Sequence, residues 1–496
     1  MSKFTLDEVI SAIKGEPVYN TASPVFATAV NITGVSTDTR TIRPGELFFA
    51  IKGENFDGHD HVGDALQKGA AAVVMSDRSK IPSVGITILV KDTVTALGDL
   101  AKYQRFKLGA KVIGITGSVG KTSAKEFISE VASVSFKVWK TDANMNNEIG
   151  LAKTILEAPS DTEVLVLEMG MRGEGQIRYL TNIACPDIGV ITGVGYSHVE
   201  LLGSRENIRK AKMEITEGIT EGGVLVVNGD DGFLLDYAKK ELSINHPLAA
   251  VSCDQECDQD KMKNCMLFFR AVNINKDKEG ADFDIEASLA GKTYYREGFR
   301  LNLTGEHNIR NAMIACLCET ILKIGTSSEF SEEDAMVHLD KIRQVLSAHE
   351  RKPGRGATYR TRDYVVIDDA YNAAPESMES AFENLNGIVG CKRKIAVLGN
   401  MLELGQYSPM LHEQTGRACA GFRFDKVFIT GDNAEDFIRG AKAIDPDIDI
   451  IRCDDTEDVK RRLEGTVEPG DALLFKASHA FRFEELAGFF RAKGDA

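Results

Sequence analysis

The stretch Lys111–Ser123 reads KVIGITGSVGKTS. An apolar run ends in a glycine-rich turn, and Lys121, Thr122 and a helix-compatible segment follow. This is the pattern of a phosphate-binding loop set between a strand and a helix. Glycines let backbone N–H groups close on phosphate oxygens, and the helix N-terminus behind them adds positive potential. In such a loop Lys121 reaches the β- and γ-phosphates and the Thr122 hydroxyl holds Mg²⁺. The general pattern asks for a further glycine where Ile115 stands. The glycines here are Gly114, Gly117 and Gly120, so the loop is a variant.

Outward from this loop, the chain separates into three segments. Residues 1–107 carry short strands and turns, among them GVSTDTR, GELFFAIKG and GAAAVVM. Residues 108–346 alternate helical stretches with the apolar runs KVIGIT, EVLVLEM, DIGVITGV and GGVLVVN. Continuous apolar runs of this length predict a parallel sheet buried on both faces. Residues 347–496 repeat the style with YVVIDDA, KIAVLGN, DKVFITG and ALLFKAS, which predicts a second, Rossmann-like α/β unit without a GxGxxG fingerprint. The boundary between these two is marked by KPGRGA, rich in glycine and charge. Residues 254–300 are polar and weakly patterned, and read as an edge insertion in the central domain.

Composition agrees with three α/β domains. The 496 residues can bury several separate cores, and a hydrophobic content of 43% is ordinary for a globular protein. A formal charge of -15 lacks the basic footprint of a general nucleic-acid binder. It leaves room for an anionic ligand held by a local cluster of N–H groups, lysine and Mg²⁺. The N-terminal MSKFTLDEVISAIKGE reads as an amphipathic helix with Phe4, Leu6, Val9, Ile10 and Ile13 inward. There is no signal-peptide core and no membrane-length apolar run, so the expectation is a cytoplasmic protein that does not insert into membranes. Nine cysteines, scattered and odd in number, suggest no disulfide framework. Cys253, Cys257 and Cys265 fit no common zinc spacing, and their acidic surroundings read as a solvated loop. Cys316 and Cys318 sit in an apolar helical pattern and read as packing residues.

A phosphate loop alone could serve a GTPase, a kinase or a ligase. Glu168 ends an apolar run at the edge of the sheet where doubly wound folds bind nucleotides, and can hold Mg²⁺ beside Thr122. A solvated strand-end acid is the plainer reading. His198 follows a buried strand and a glycine turn, where a structural histidine is common. Lys212 lies in a helical stretch, where most lysines are on the surface.

The set TGSVGKTS, TDANMNNEIG, LEMGMRGEGQI, SHVELLGS and KAKMEI resembles the Mur ligase family, ATP-dependent enzymes that form amide bonds in peptidoglycan precursors. Its loop, of the form TG-x-x-GKT, matches Thr116–Thr122 and accounts for the displaced glycine. The resemblance implies two Mg²⁺ ions. His198 would help bind the second, and Lys212 would carry a carbamate that serves it as an extra carboxylate. It implies ATP contacts from Gly117, Ser118, Val119, Gly120, Lys121, Thr122 and Ser123. The segment GEHNIRNAMIA resembles the family's nucleotide-side motif, with Asn308 and Asn311 among the ATP contacts and Asn308 near the adenine. Capping alone would explain one of those asparagines.

In the last segment, Arg355 and Asp369 match positions that engage the γ-phosphate side and the ribose. DDAYNAAPESM and AVLGNMLELG resemble the branch that adds D-alanyl-D-alanine, although Asn400 stands where an Asp is usual. VSTDTR…PGELFFAIKGENFDGHDHV resembles a uridine-nucleotide-binding domain, with Thr37, Asp38 and Arg40 as contacts. The implied substrates are UDP-N-acetylmuramoyl-tripeptide and D-alanyl-D-alanine. Asn146, Asn147, Tyr371, Asn372, Lys476 and His479 are further substrate candidates, and Lys121, Glu168, His198 and Lys212 are the catalytic set. His479, in KASH, replaces a usual Arg and loses a permanently charged fork. Ala374 replaces a usual Asn. The expected protein is a monomer. Two rival readings are another amide ligase of the superfamily, of the diamino-acid-adding or folylpolyglutamate type, and a P-loop ATPase that hydrolyses only to change shape.

Overall fold

The computed structural model describes residues 3–20, 30–242, 246–254, 265–277, 280–289, 292–326, 332–349 and 354–495. A nine-stranded sheet dominates it. In spatial order its strands are Lys292–Leu301, Ala281–Leu289, Leu267–Lys276, Leu248–Ser252, Val224–Asn228, Ile188–Ile191, Lys111–Thr116, Val164–Glu168 and Val138–Lys140. The first two are antiparallel to their neighbours and the rest run parallel. The four apolar runs of the central segment are thus strands, and their side chains are buried on both faces. On one face pack the helices Lys121–Ala132 and Glu306–Thr326, and on the other Glu148–Glu157 and Gln176–Ala184. Thr93–Leu108 lies against that second pair. Lys111–Thr116 has Val164–Glu168 on one side and Ile188–Ile191 on the other, so the loop after it opens at the switch point of the sheet.

The polar stretch read as an edge insertion supplies, over its described residues, three strands of this same sheet. Its Cys257 lies outside the described residues, and Cys253 is buried rather than solvated. Cys316 and Cys318 are buried in the Glu306–Thr326 helix, as the pattern predicted.

The first segment forms a five-stranded sheet, ordered Glu16–Asn20, Gly85–Leu89, Ala72–Met75, Glu46–Phe49 and Gly34–Ser36. The amphipathic pattern at the N-terminus becomes the helix Leu6–Ile13, with Thr5 and Glu8 forming a capping box. Leu6, Val9 and Ile13 face inward, Ile10 is partly buried, and Phe4 is buried from a short strand that precedes the helix. The last segment forms six strands, Ala357–Arg360, Val365–Asp368, Ala472–Lys476, Lys394–Leu398, Lys426–Thr430 and Ile450–Cys453, parallel except for the first. Among the described residues no helix is long and apolar enough to cross a membrane.

Candidate active site

The phosphate loop is built by two glycines in positive φ. Gly117 has φ 155°, and a Cβ there would stand 1.9 Å from Thr192 Oγ1. Gly120, at φ 82°, starts the Lys121–Ala132 helix in the left-handed region. The loop is tied to the segment after the neighbouring strand. Ser118 N donates to Gly193 O at 3.0 Å, Thr192 Oγ1 to Val119 O at 2.6 Å, and Gly195 N to Ser118 Oγ at 2.9 Å. Lys121 Nζ folds back onto the loop and donates to Gly117 O at 2.7 Å. Desolvation lowers the Lys121 pKa and the charge of Arg355 adds to this, while Glu168 opposes it.

Glu168 ends its strand only 2% exposed. Its Oε1 accepts from Asn146 Nδ2 at 2.9 Å, and its Oε2 has no hydrogen-bond donor among the described residues. Lys125 Nζ, itself buried, lies 3.5 Å from that oxygen and 3.6 Å from Glu126 Oε1. Asn147 caps the Glu148–Glu157 helix, its side chain accepting from Gly150 N.

His198 opens the short helix Val199–Leu202 at φ 66°, and its Nδ1 lies 2.5 Å from Glu403 Oε2 of the C-terminal unit. Burial lowers its pKa, Lys121 and Lys212 push the same way, and Glu403 opposes them. Lys212, near the end of the Arg205–Met213 helix, is 1% exposed. Its pKa falls well below the usual lysine value, first through burial and then through Lys121, against an opposing pull from Glu376. The plain reading of Lys212 as a surface lysine does not describe what is seen, whereas the hydrogen-bonded ring of His198 is compatible with a structural histidine as well as with a ligand.

The C-terminal unit closes the cavity. Arg355 stacks on Tyr371, 3.6 Å from its ring centre. Asp369 pairs with buried Lys476 at 2.9 Å, and Lys476 also donates to Asn372 O at 2.8 Å. Asn308 and Asn311 are buried at the start of the Glu306–Thr326 helix, with Asn308 Nδ2 donating to Thr304 O at 2.7 Å.

A cavity of about 1620 Å³ joins these groups. That exceeds the roughly 300–1,000 Å³ of a single small-ligand pocket, so there is room for two reactants side by side. Gly117–Ser123, Asn146, Asn147, Glu168, His198, Lys212, Asn308, Asn311, Arg355, Asp369, Tyr371, Asn372 and Lys476 all line it. Four candidates stand outside that lining. Thr37, Asp38 and Arg40 lie on the N-terminal unit, where hydrogen bonds from Arg40 hold the Asp38 carboxyl down at about 2. His479 is exposed, 3.5 Å from Glu484, with its ring centre 6.2 Å from that of Tyr371. The N-terminal unit does reach the cavity through Glu54, Val94 and Thr95. The sequence reading missed Lys125, Glu376 and Glu403. Lys125 carried a faint signal, one helical turn beyond Lys121, whereas the two acids lie in the quoted segments DDAYNAAPESM and AVLGNMLELG.

Among the described residues no three His, Cys, Asp or Glu side chains cluster to hold a metal unaided. The donors present suit Mg²⁺, which takes one or two carboxylates and completes its shell from phosphates and water. The Oε2 of Glu168, beside the phosphate loop and paired with Lys125 but accepting no hydrogen bond among the described residues, is such a donor.

Residues 31–105 match the description "Mur ligase family, catalytic domain", residues 115–318 the Mur ligase middle domain, and residues 354–479 the "Mur ligase, glutamate ligase domain". The chain is 35% identical to the UDP-N-acetylmuramoyl-tripeptide–D-alanyl-D-alanine ligase of Bacillus subtilis strain 168, over 98% of each chain. It is 30% identical to the enzyme of the same name from Escherichia coli K12, over 87% of this chain and 86% of that one. Its structure resembles a crystal structure of MurF from Acinetobacter baumannii with a TM-score of 0.81 at 26% identity, covering 99% of both. It also resembles MurF ligase from Thermotoga maritima in complex with ADP, with a TM-score of 0.73 at 28% identity over 93% of this chain and 97% of that one. With a curated relative of this identity matched end to end, the chain belongs to the Mur ligase family.

Proposed function

We propose that this protein is an ATP-dependent ligase that joins D-alanyl-D-alanine to UDP-N-acetylmuramoyl-tripeptide, giving ADP, phosphate and a pentapeptide precursor of peptidoglycan. One observation carries the reading. Lys121, Glu168, His198 and Lys212 of the central unit line the same cavity as Arg355, Asp369 and Lys476 of the C-terminal unit. The names of the curated relatives and the ADP held by the Thermotoga relative support it.

ATP lies in the phosphate loop, with Lys121 leaving the Gly117 carbonyl for the phosphates and Asn308, Asn311, Arg355 and Asp369 holding the rest of the nucleotide. Thr122 and Glu168 would hold one Mg²⁺, and His198 with a carbamate on Lys212 a second. The ions supply charge neutralisation of the phosphates when bound. Lys212 suits carbamate formation, because burial and Lys121 lower its pKa well below the usual lysine value and so favour the neutral, nucleophilic amine. The terminal carboxylate of the tripeptide attacks the γ-phosphorus and ADP leaves, giving an acyl phosphate. Lys121 offsets the repulsion between the two anions. The amine of the dipeptide then attacks the acyl carbon and phosphate departs. The C-terminal unit shields the acyl phosphate from water.

The N-terminal domain, 1–107, holds the uridine nucleotide with Thr37, Asp38 and Arg40. The central domain, 108–346, binds ATP, and the C-terminal domain, 347–496, presents the dipeptide with its own Tyr371, Asn372, Lys476 and His479 and the central domain's Asn146 and Asn147 around it. One chain supplies all of these groups, so the enzyme works as a monomer, in the cytoplasm where its nucleotide substrates are. The assay is phosphate release with UDP-N-acetylmuramoyl-tripeptide, with and without D-alanyl-D-alanine, against glutamate or a free diamino acid as acceptor. Release that depends on the dipeptide is expected; release indifferent to it refutes the reading.

A further inference from the structure

Glu376 sits in the first turn of the Pro375–Gly387 helix of the C-terminal unit, and its carboxylate crosses to the central unit. Its Oε1 accepts the backbone N–H of Tyr196 at 3.1 Å. Its Oε2 is buried and has no hydrogen-bond donor among the described residues. The contact needs a glycine, since a Cβ on Gly195 would stand 2.1 Å from Oε1. Two successive N–H groups therefore make one joint. That of Gly195 holds Ser118 of the phosphate loop, and that of Tyr196 holds Glu376. The acid is fixed at the seam where the phosphate loop meets the C-terminal unit.

An unpaired buried carboxylate oxygen is costly, and it persists where a donor arrives in the working state. The basic groups whose charge reaches Glu376 are Arg205 and, in the absence of a carbamate, Lys212, and neither donates to Oε2. A phosphate or a substrate carboxylate would be repelled by this oxygen, whereas an ammonium group suits it.

We propose that Glu376 Oε2 receives the ammonium group of the incoming dipeptide and takes one proton from it, which makes Glu376 a catalytic residue of the second half-reaction. The inference rests on the ligase reading above. The proton passes from nitrogen to Oε2, and the freed electron pair forms the C–N bond to the acyl carbon. The C–O bond to phosphate breaks, its electron pair leaves with the phosphate, and the second proton of the attacking nitrogen goes with it as hydrogen phosphate. Glu376 then returns its proton to solvent. Burial raises the Glu376 carboxyl above the usual carboxylate range, against the opposing N–H groups of its own backbone and of Tyr196, and this strengthens it as a base.

The test compares two acceptors in Glu376→Gln, which keeps an oxygen for Tyr196 but cannot take the proton. Hydroxylamine is largely uncharged at neutral pH, needs no base, and traps the acyl phosphate as a hydroxamate that ferric ion colours. With D-alanyl-D-alanine, kcat should fall about 10²–10⁴-fold, while hydroxamate formation stays within about threefold of the parent. Retained hydroxamate formation also shows that the variant is folded. Equal loss with both acceptors would make Glu376 a metal ligand or a structural group and overturn the proposal, as would no loss with either. A parent enzyme that forms neither product would instead refute the ligase reading.

Discussion

Glu403 carries three contacts from the C-terminal unit to the central one, and its removal should loosen the closed arrangement. Its Oε1 pairs with Arg172 at 2.7 Å, its Oε2 meets His198 Nδ1 at 2.5 Å, and its carbonyl accepts Glu200 N at 3.2 Å. Beside it, Tyr407 OH donates to Gly203 O at 3.0 Å. Glu403→Ala removes the first two contacts. Arg172 is 73% exposed, so that pair is worth about 0.5 kcal/mol. The His198 contact is better shielded and counts as a hydrogen bond to a charged group, about 1.5 kcal/mol. Together these give about 2 kcal/mol, or about a 30-fold shift toward the open arrangement. Fluorescence transfer between dyes on the two units should report the shift, and kcat should fall with it. Glu403 has φ 61°, a cost its own Cβ already bears, so alanine adds no backbone strain. Glu403→Gly removes that cost but still lacks the carboxylate. Both variants should be impaired. An alanine variant with closure and kcat within twofold of the parent would refute the carboxylate latch.

Lys121→Ala should abolish turnover with the circular dichroism spectrum and Tm retained; near-normal phosphate release would remove the loop from the chemistry. Lys212→Ala should lose activity that added short carboxylic acids partly restore, and an active Lys212→Ala would end the carbamate reading. His412 bears on stability. It is buried, its Nε2 accepts Met401 N–H at 3.0 Å, and its Nδ1 lies 2.8 Å from Ser408 O, which fixes the neutral ring. Burial lowers its pKa from the ordinary 6.5, against the Ser408 carbonyl. The unfolded chain therefore binds this proton at a higher pH than the native one. Its contribution is complete above 6.5 and is lost as pH falls through the lower native value. The Tm should drop between about pH 7 and pH 5, and less steeply in His412→Gln; equal slopes would refute the assignment.

What could be read from the sequence was local. The phosphate loop was legible because strand, turn glycines, lysine and helix start are contiguous, and both faces of its strand are buried. Eight parallel strands of the two larger sheets showed as apolar runs for the same reason, whereas Val138–Lys140, Leu248–Ser252 and Ile450–Cys453 went unread. Residues 267–301 hid their strands because they form the partly exposed edge of the sheet, where polar residues are tolerated. Register shifts between Val272 and Asn275, and again between Phe283 and Ile285, break the two-residue alternation. Lys125 went unread because its buried ion pair is with Glu168, more than a full α/β unit away in sequence.

The acids that complete the site were illegible for a stronger reason. Glu376 is bonded 180 residues from itself in sequence, and Glu403 is 205 residues from His198. Their partners are a bare backbone N–H at Tyr196 and a histidine held at positive φ, and neither leaves a signature in the composition around it. Both acids also face the same turn of the central unit, the segment from Gly193 to Gly203 that binds the phosphate loop from behind. The phosphate loop and the C-terminal unit therefore hold the same turn from two sides. The chemistry of the first half-reaction and the docking of the unit needed for the second share one stretch of backbone. Gly195→Ala tests that coupling, since its Cβ would collide with Glu376 and leave Lys121 untouched. It should slow transfer to the dipeptide more than it weakens ATP binding. Equal losses in the two would mean that the turn is only a scaffold.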